Sequence, residues 1–379
     1  MRKIVFYCET SVFGGHEAMA LAIYDALAVH HPEVDLEWLV CSDCDRLREE
    51  LTTRKAAYCY MSNSSFLSLW RNPAFTAKTL QANSRILRER KADAVVAIQG
   101  GILLSIGGVL SARLAGIPVC SYIPMAIKVS ESKALRFPAL MDFTAYQLFR
   151  LVPNFITIDA YQAEKIQGKN RRAKVRVVEN FIPRPETVTD AARRREFKEK
   201  LGVPANAQLI VCAGRIEFAH KQQDWLLESL QDEVFMNGRY LLFVGSGTDF
   251  DALRRMIDGA RGPFALLGWQ NNMEEIYGAA DVVVIPSRFE GVPLVMLEAL
   301  GRGVPVVGSD LDGMKSWLPV EWRFPYHDKN AMKRAIDRTI GRSQCHELEW
   351  TQIESRLAAI HDQKRLADEF LRAVEELQR

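Results

Sequence analysis

Two glutamates, Glu290 and Glu298, stand eight positions apart in VVVIPSRFEGVPLVMLEALGRGVPVVGSD, residues 282–310. The second interrupts the apolar run from Pro293 to Leu300. An unpaired buried carboxylate costs on the order of several kcal/mol, so Glu298 needs either water or a specific partner. Taking Val282–Pro286 as a strand, Ser287–Val292 as a loop and Pro293 as the first helical residue, Glu298 shares a helix face with Gly291, Leu294 and Val295. It then leans toward the loop that carries Glu290, and both carboxylates serve one cavity above the strand ends. Sugar or ribose hydroxyls suit such acceptors. The alternative is a helix-end charge at Glu290 and a structural ion pair at Glu298.

Cations stand at a second strand end. In VCAGRIEFAHKQQDWLLESL, Arg215 follows Gly214, and Lys221 begins the next helical stretch. A guanidinium and an ammonium beside a helix N-terminus would clamp a diphosphate; the alternative is a pair of solvated surface cations. After the first strand, Gly14 and Gly15 precede a helix starting near His16, where close backbone approach to an anion competes with a plain tight turn. His16 faces a ligand or is merely solvated. VGSGTDF, with Gly245 and Gly247, lacks the third glycine of a dinucleotide fingerprint.

These residues need scaffolds. Apolar, β-branched runs at Ile4–Cys8, Val34–Val40, Ala57–Met61, Ala94–Gln99, Pro118–Ile123 and Phe155–Asp159 predict strands in the first half. Gln208–Ala213, Tyr240–Val244, Phe264–Leu267, Val282–Pro286 and Val304–Val307 do so in the second. Helical stretches such as His16–His30, Lys221–Leu230, Asp249–Gly259 and Met273–Ala280 lie between them, which implies parallel sheets with crossover helices. The alternation pauses at Val178–Pro204, read as an interdomain linker. The expected domains are 1–180 and 181–360, with an amphipathic tail helix, 361–379, packing back on the first.

Length and charge set limits. A chain of 379 residues exceeds what one core usually serves, and a net charge of +2 does not point to nucleic acid. Seven cysteines form no framework; Cys41 and Cys44 make one C-x2-C with no second ligand pair, so no metal site and a reducing, cytoplasmic compartment are expected. The first 30 residues hold no membrane-length apolar run. Segments 66–80 and 132–155 mix aromatic, aliphatic and basic residues, as membrane-interface helices do, or as core helices with snorkelling cations do.

The stretch from Glu290 to Glu298, continued through ALGRGVPVVGSDLDG, resembles the E-x7-E signature of retaining GT-B glycosyltransferases, in particular glycosyltransferase family 4. GRIEFAHK, FVGSG and LLGWQNNMEEIYGAADVVVIPS follow the family's order across the second domain; in the first the likeness rests on Gly14-Gly15, ITIDAYQAEKI and VRVVENF. The resemblance implies two facing Rossmann-like domains with a cleft between them, and a nucleoside-diphosphate sugar (UDP- or GDP-linked) held mainly by the second. It implies Arg215 and Lys221 on the diphosphate and the backbone of Gly245, Gly291, Val292, Pro293 and Leu294 close by. Glu290 would meet the donor sugar, Glu298 the ribose, Trp269 and Gln270 the base, and Gly15 the donor from the first domain. It further implies transfer with retention, without metal or other cofactor, to a glycan or lipid-linked acceptor in bacterial surface polysaccharide or glycolipid synthesis, at the inner face of the cell membrane. Where family members carry a histidine or acid after Pro118–Ile123, this chain has Pro124-Met125, so no base is assigned there. A nucleotide-sugar epimerase and a non-catalytic sugar-nucleotide binder are the rival readings.

Overall fold

The computed structural model describes residues 3–10, 13–62, 73–132, 137–185, 190–341 and 347–378. The chain forms two compact units, Met1–Phe181 with Asp362–Arg379, and Ile182–His361.

The first unit is built on seven parallel strands: β1 (Lys3–Cys8), β2 (Asp35–Val40), β3 (Ala57–Tyr60), β4 (Ala94–Ile98), β5 (Val119–Tyr122), β6 (Asn154–Thr157) and β7 (Lys174–Val177). Their spatial order is β3-β2-β1-β4-β5-β6-β7. Ile4–Cys8, Ala94–Ile98 and Val119–Tyr122 are buried throughout, because crossover helices cover both faces of a parallel sheet. The short edge strand β7, KVRV, carries charge at alternate positions and is largely exposed, so it lacks the apolar run that marks the others. The final helix, Gln363–Gln378, belongs to this unit: it packs on helix Gly15–His30, burying Leu366, Ala367, Phe370, Ala373, Val374 and Leu377.

The second unit holds six parallel strands: β8 (Gln208–Ala213), β9 (Arg239–Val244), β10 (Phe264–Leu267), β11 (Val282–Ile285), β12 (Val306–Ser309) and β13 (Arg323–Phe324), ordered β10-β9-β8-β11-β12-β13. The two-residue β13 is too short to show a period. In both sheets the order reverses once, between β1 and β4 and between β8 and β11. Ligands of doubly wound sheets bind beyond the carboxyl ends of strands at such a reversal.

The expected linker, Val178–Pro204, contains the boundary between the units, but part of it is helical. The units divide at Phe181, and the charged run RRREFKEK lies in a helix, Ala191–Lys200, capped by Asp190, whose carboxylate accepts from Arg193 N–H at 2.8 Å. This helix packs on Met273–Ala279 within the second unit. Its charges are partnered: Lys198 Nζ donates to Asp281 (2.8 Å) and to the Ala207 carbonyl (2.8 Å), while Arg194 reaches the other Asp281 oxygen at 3.1 Å.

Candidate functional site

At the reversal of the second sheet, the loops after β8 and β11 meet. The chain leaves β8 through Gly214 (φ +139°) and Arg215 into a single helical turn, Phe218–Lys221. The predicted continuous helix Lys221–Leu230 is broken: Gln222 takes a left-handed φ of 57°, and a second helix runs Gln223–Ser229. Lys221 therefore ends a turn instead of starting a helix. Buried Gln223 holds the connection, its amide donating to the Arg215 carbonyl (2.8 Å) and its side-chain oxygen accepting from Glu217 N–H (3.3 Å). Asp249, from the β9 side, accepts from Phe218 N–H at 2.8 Å.

After β11 the chain passes Ser287 to Glu290, whose side chain is only 6% exposed. Lys221 Nζ donates to Glu290 Oε1 at 2.5 Å, and His220 Nε2 lies 3.7 Å from the same oxygen. Burial would raise the Glu290 pKa, but the Lys221 ammonium, the adjacent His220 and hydrogen bonds from Lys221 and Ser287 hold it below the ordinary carboxylate value. His220 takes the opposite course: burial, reinforced by the Lys221 charge, pushes its pKa down to about 4, so the ring is neutral near pH 7. Its Nε2–H donates to the Phe289 carbonyl (2.9 Å), the ring stacks on Phe289 at 4.0 Å between centroids, and its own carbonyl accepts from Arg288 N–H (2.8 Å). His220 thus pins the loop that presents Glu290.

Arg215 is differently placed. Its nearest acid among the described residues is Glu217 at 3.8 Å, beyond hydrogen-bond range, and its side chain is 39% exposed. With Lys221 neutralised by Glu290, Arg215 is the cation most available to an incoming anion. Loop 287–293 leads into helix Leu294–Gly301, with Pro293 as N-cap, so the helix starts one residue after the predicted first helical position. The first backbone bond into that cap comes from Met296 N–H to the Pro293 carbonyl (3.1 Å), so the amides of Leu294 and Val295 precede it and point out of the helix start. Gly291, Val292 and Pro293 are buried. A Cβ on Gly313 would fall 1.4 Å from the Gly291 carbonyl oxygen, which explains why helix Asp312–Lys315 offers glycine to this loop.

Glu298 is half-buried, and its partner is the buried Tyr277, whose hydroxyl donates to Oε2 at 2.7 Å. It is not the ion pair weighed from sequence; Arg302 bonds its backbone carbonyl instead (3.3 Å). Among the described residues Glu298 Oε1 has no hydrogen-bond partner. Gly245 lies directly after β9 at φ +139°, and a Cβ there would stand 2.0 Å from the Gly214 carbonyl oxygen. The two strand-end loops are therefore in backbone contact. Beyond β10, Trp269 is 55% exposed, its Nε1 donating to Asn271 (3.1 Å), with half-buried Gln270 beside it.

Gly14, Gly15 and His16 belong to the first unit and stand after β1. Gly14 N–H donates to the carboxylate of buried Glu17 (2.8 Å), and His16 Nε2 meets Glu17 Oε1 at 2.7 Å. Burial opposes the Glu17 charge, but His16 and hydrogen bonds lower its pKa overall. His16 is thus an anchored ring, not a solvated helix-start residue. It lies over Gly100, where a Cβ would approach its Cε1 to 2.6 Å, at the reversal between β1 and β4. Gly15 is exposed. Sequence reasoning missed His220, Gln223, Tyr277, Glu17 and Gly100: each acts through a partner far along the chain or through the absence of a side chain.

No group of three or more metal-capable side chains occurs among the described residues, and no described helix is long and apolar enough to cross a membrane. Of segment 66–80, residues 66–72 lie outside the described residues, as do 133–136 of segment 132–155.

The chain is 26% identical over 343 residues to UDP-Gal:alpha-D-GlcNAc-diphosphoundecaprenol alpha-1,3-galactosyltransferase of Escherichia coli, covering 82% of this chain and 80% of that one. It is 29% identical over 152 residues to an uncharacterized glycosyltransferase of Methanocaldococcus jannaschii, where the match spans 38% of each protein. Anabaena HepE, crystallised with UDP and glucose, superposes with a TM-score of 0.80 at 17% identity, over 99% of this chain and 100% of that one. The fold is GT-B, with two parallel-sheet Rossmann-like units. Residues 207–342, within the C-terminal unit, match the model of the family described as Glycosyl transferases group 1.

Proposed function

We propose that this protein is a retaining, metal-independent glycosyltransferase of family 4. On this reading it moves a sugar from a UDP- or GDP-sugar to a glycan or lipid-linked acceptor in bacterial surface polysaccharide or glycolipid synthesis, in the cytoplasm at the inner membrane face. The observation that carries the reading is the pairing of Lys221 with the buried Glu290, beside the uncommitted Arg215 and the outward amides of Leu294 and Val295. The E. coli relative's UDP-galactose donor and the UDP in HepE favour uridine as the base.

The chemistry follows from charge. As the glycosidic bond to the diphosphate breaks, negative charge grows on the leaving group. On this reading Arg215, Lys221 and the helix-start amides receive it, the role a metal plays elsewhere. Diphosphate arrival draws Lys221 partly away from Glu290, which frees that carboxylate to accept sugar hydroxyls and favour an oxocarbenium-like anomeric carbon. Glu298 Oε1 then takes ribose hydroxyls while Tyr277 holds Oε2. The departing phosphate accepts the acceptor's proton on the same face, so no separate base is needed.

The test is a transfer assay with UDP- and GDP-sugars, with and without acceptor, with and without chelator. Donor consumption that requires acceptor and survives EDTA supports the reading. Consumption without acceptor, giving an isomeric nucleotide sugar, would establish the epimerase instead, and binding without turnover the non-catalytic protein.

A further inference from the structure

Helix Pro138–Leu151 in the first unit buries only Ala145, Leu148 and Phe149. Its opposite side is also apolar. Phe137, Leu140, Phe143 and Tyr146, spaced three apart, are 60%, 51%, 60% and 42% exposed. Neighbouring Tyr161, on helix Ala160–Lys169, is 36% exposed. Cations lie beside these rings: the Arg150 guanidinium is 6.0 Å from the Tyr146 centroid and Lys165 Nζ 4.4 Å from Tyr161, while Lys169 Nζ is 4.8 Å from the buried Phe149. Between Ala126 and Arg176 the sequence carries ten Lys and Arg against four Asp and Glu, in a chain whose net charge is only +2. Burial, helped by Lys165 and Lys128 and opposed by Glu131 and Asp142, brings Lys169 down to about 8.

We propose that this aromatic, cation-rimmed helix face docks on an anionic phospholipid bilayer, with Phe137, Leu140 and Phe143 entering the interface and Arg150, Lys165 and Lys128 meeting headgroups. A contiguous exposed apolar stripe calls for a cover. The surrounding excess of positive charge selects a negatively charged one, and aromatic rings with long basic stems suit the headgroup boundary. This deepens the membrane alternative raised by residues 132–155, since a core helix would not leave these side chains in water. It does not depend on sugar transfer, because its readout is binding.

The full-length protein is spun with vesicles of phosphatidylcholine alone or mixed with phosphatidylglycerol. Binding is expected to the mixed vesicles only, with release when salt shortens the screening length. The double variant Leu140→Ser/Phe143→Ser should partition at least about tenfold less, whereas Val234→Ser, at an 89% exposed site in the other unit, should bind as wild type. No binding by wild type, or undiminished binding by a folded double variant, overturns the proposal. So would a lipid-free dimer abolished by the same double variant, which would assign the face to a second copy.

Discussion

Glu290 combines burial with charge, and its neighbours separate two kinds of contribution. On the proposed function, replacing it by alanine removes the group that meets the reacting sugar, so turnover is expected to fall about 10²- to 10³-fold while nucleotide affinity changes little. Arg215→Ala should weaken nucleoside-diphosphate binding and turnover together. Steady-state kinetics paired with calorimetric titration of the nucleotide checks both, and wild-type activity in both variants would misplace the site. His220 predicts a pH effect on stability. Its folded pKa, about 4, lies below the unfolded value near 6.5, so between those values the unfolded chain binds more protons. Stability therefore rises with pH across that window and falls by about 2 kcal/mol from pH 7 to pH 5 on account of this ring alone. The depressed pKa of Glu290 adds loss only at lower pH, below the ordinary carboxylate value. Melting curves of wild type and His220→Asn at the two pH values should show a smaller drop in the variant. Glu290, Glu298, Arg215 and Lys221 were legible because charged residues at strand ends and in apolar runs need a reason. His220 was not, since its role is a bond to a carbonyl 69 positions away.

The loops that carry these residues pack backbone to backbone because glycine leaves no side chain between them. Gly245→Ala would drive a methyl to 2.0 Å from the Gly214 carbonyl and also place a side chain at φ +139°. We expect a loss of about 2–4 kcal/mol, by strain and overpacking, together with weakened nucleotide binding. Gly259→Ala, at a helix end with open space around the new methyl, should leave the denaturation midpoint almost unchanged. Chemical denaturation of the two variants makes the comparison. Most strands were readable from apolar runs, because burial on both faces demands them. The helix Ala191–Lys200 was not: its charges read as linker until Asp281 partners Lys198 and Arg194.

At the scale of the whole molecule the chain crosses from the first unit to the second and returns, so that the last helix completes the first core. Phe370 lies between Phe6 and Tyr122, with centroid distances of 6.3 and 6.5 Å. Truncation before Asp362 would expose six apolar side chains' worth of surface in the first unit, on the order of 5–10 kcal/mol of lost burial. Calorimetry of the truncated chain should show the first unit's transition lowered or lost, with the second unit's preserved. Equal loss of both transitions would contradict this division of the chain.

The order of apolar runs and glycine-flanked charges determined on its own that this is a parallel α/β chain, and it singled out the residues worth testing, because those patterns arise from local periodicity and from the cost of burying charge. Only the tertiary structure decided that Lys221 pairs with Glu290, that Tyr277 answers Glu298, that Ala191–Lys200 within the apparent linker is a helix and that helix Pro138–Leu151 keeps an apolar face in water. Each of those depends on which distant segments the sheet order brings together, and no local pattern records that.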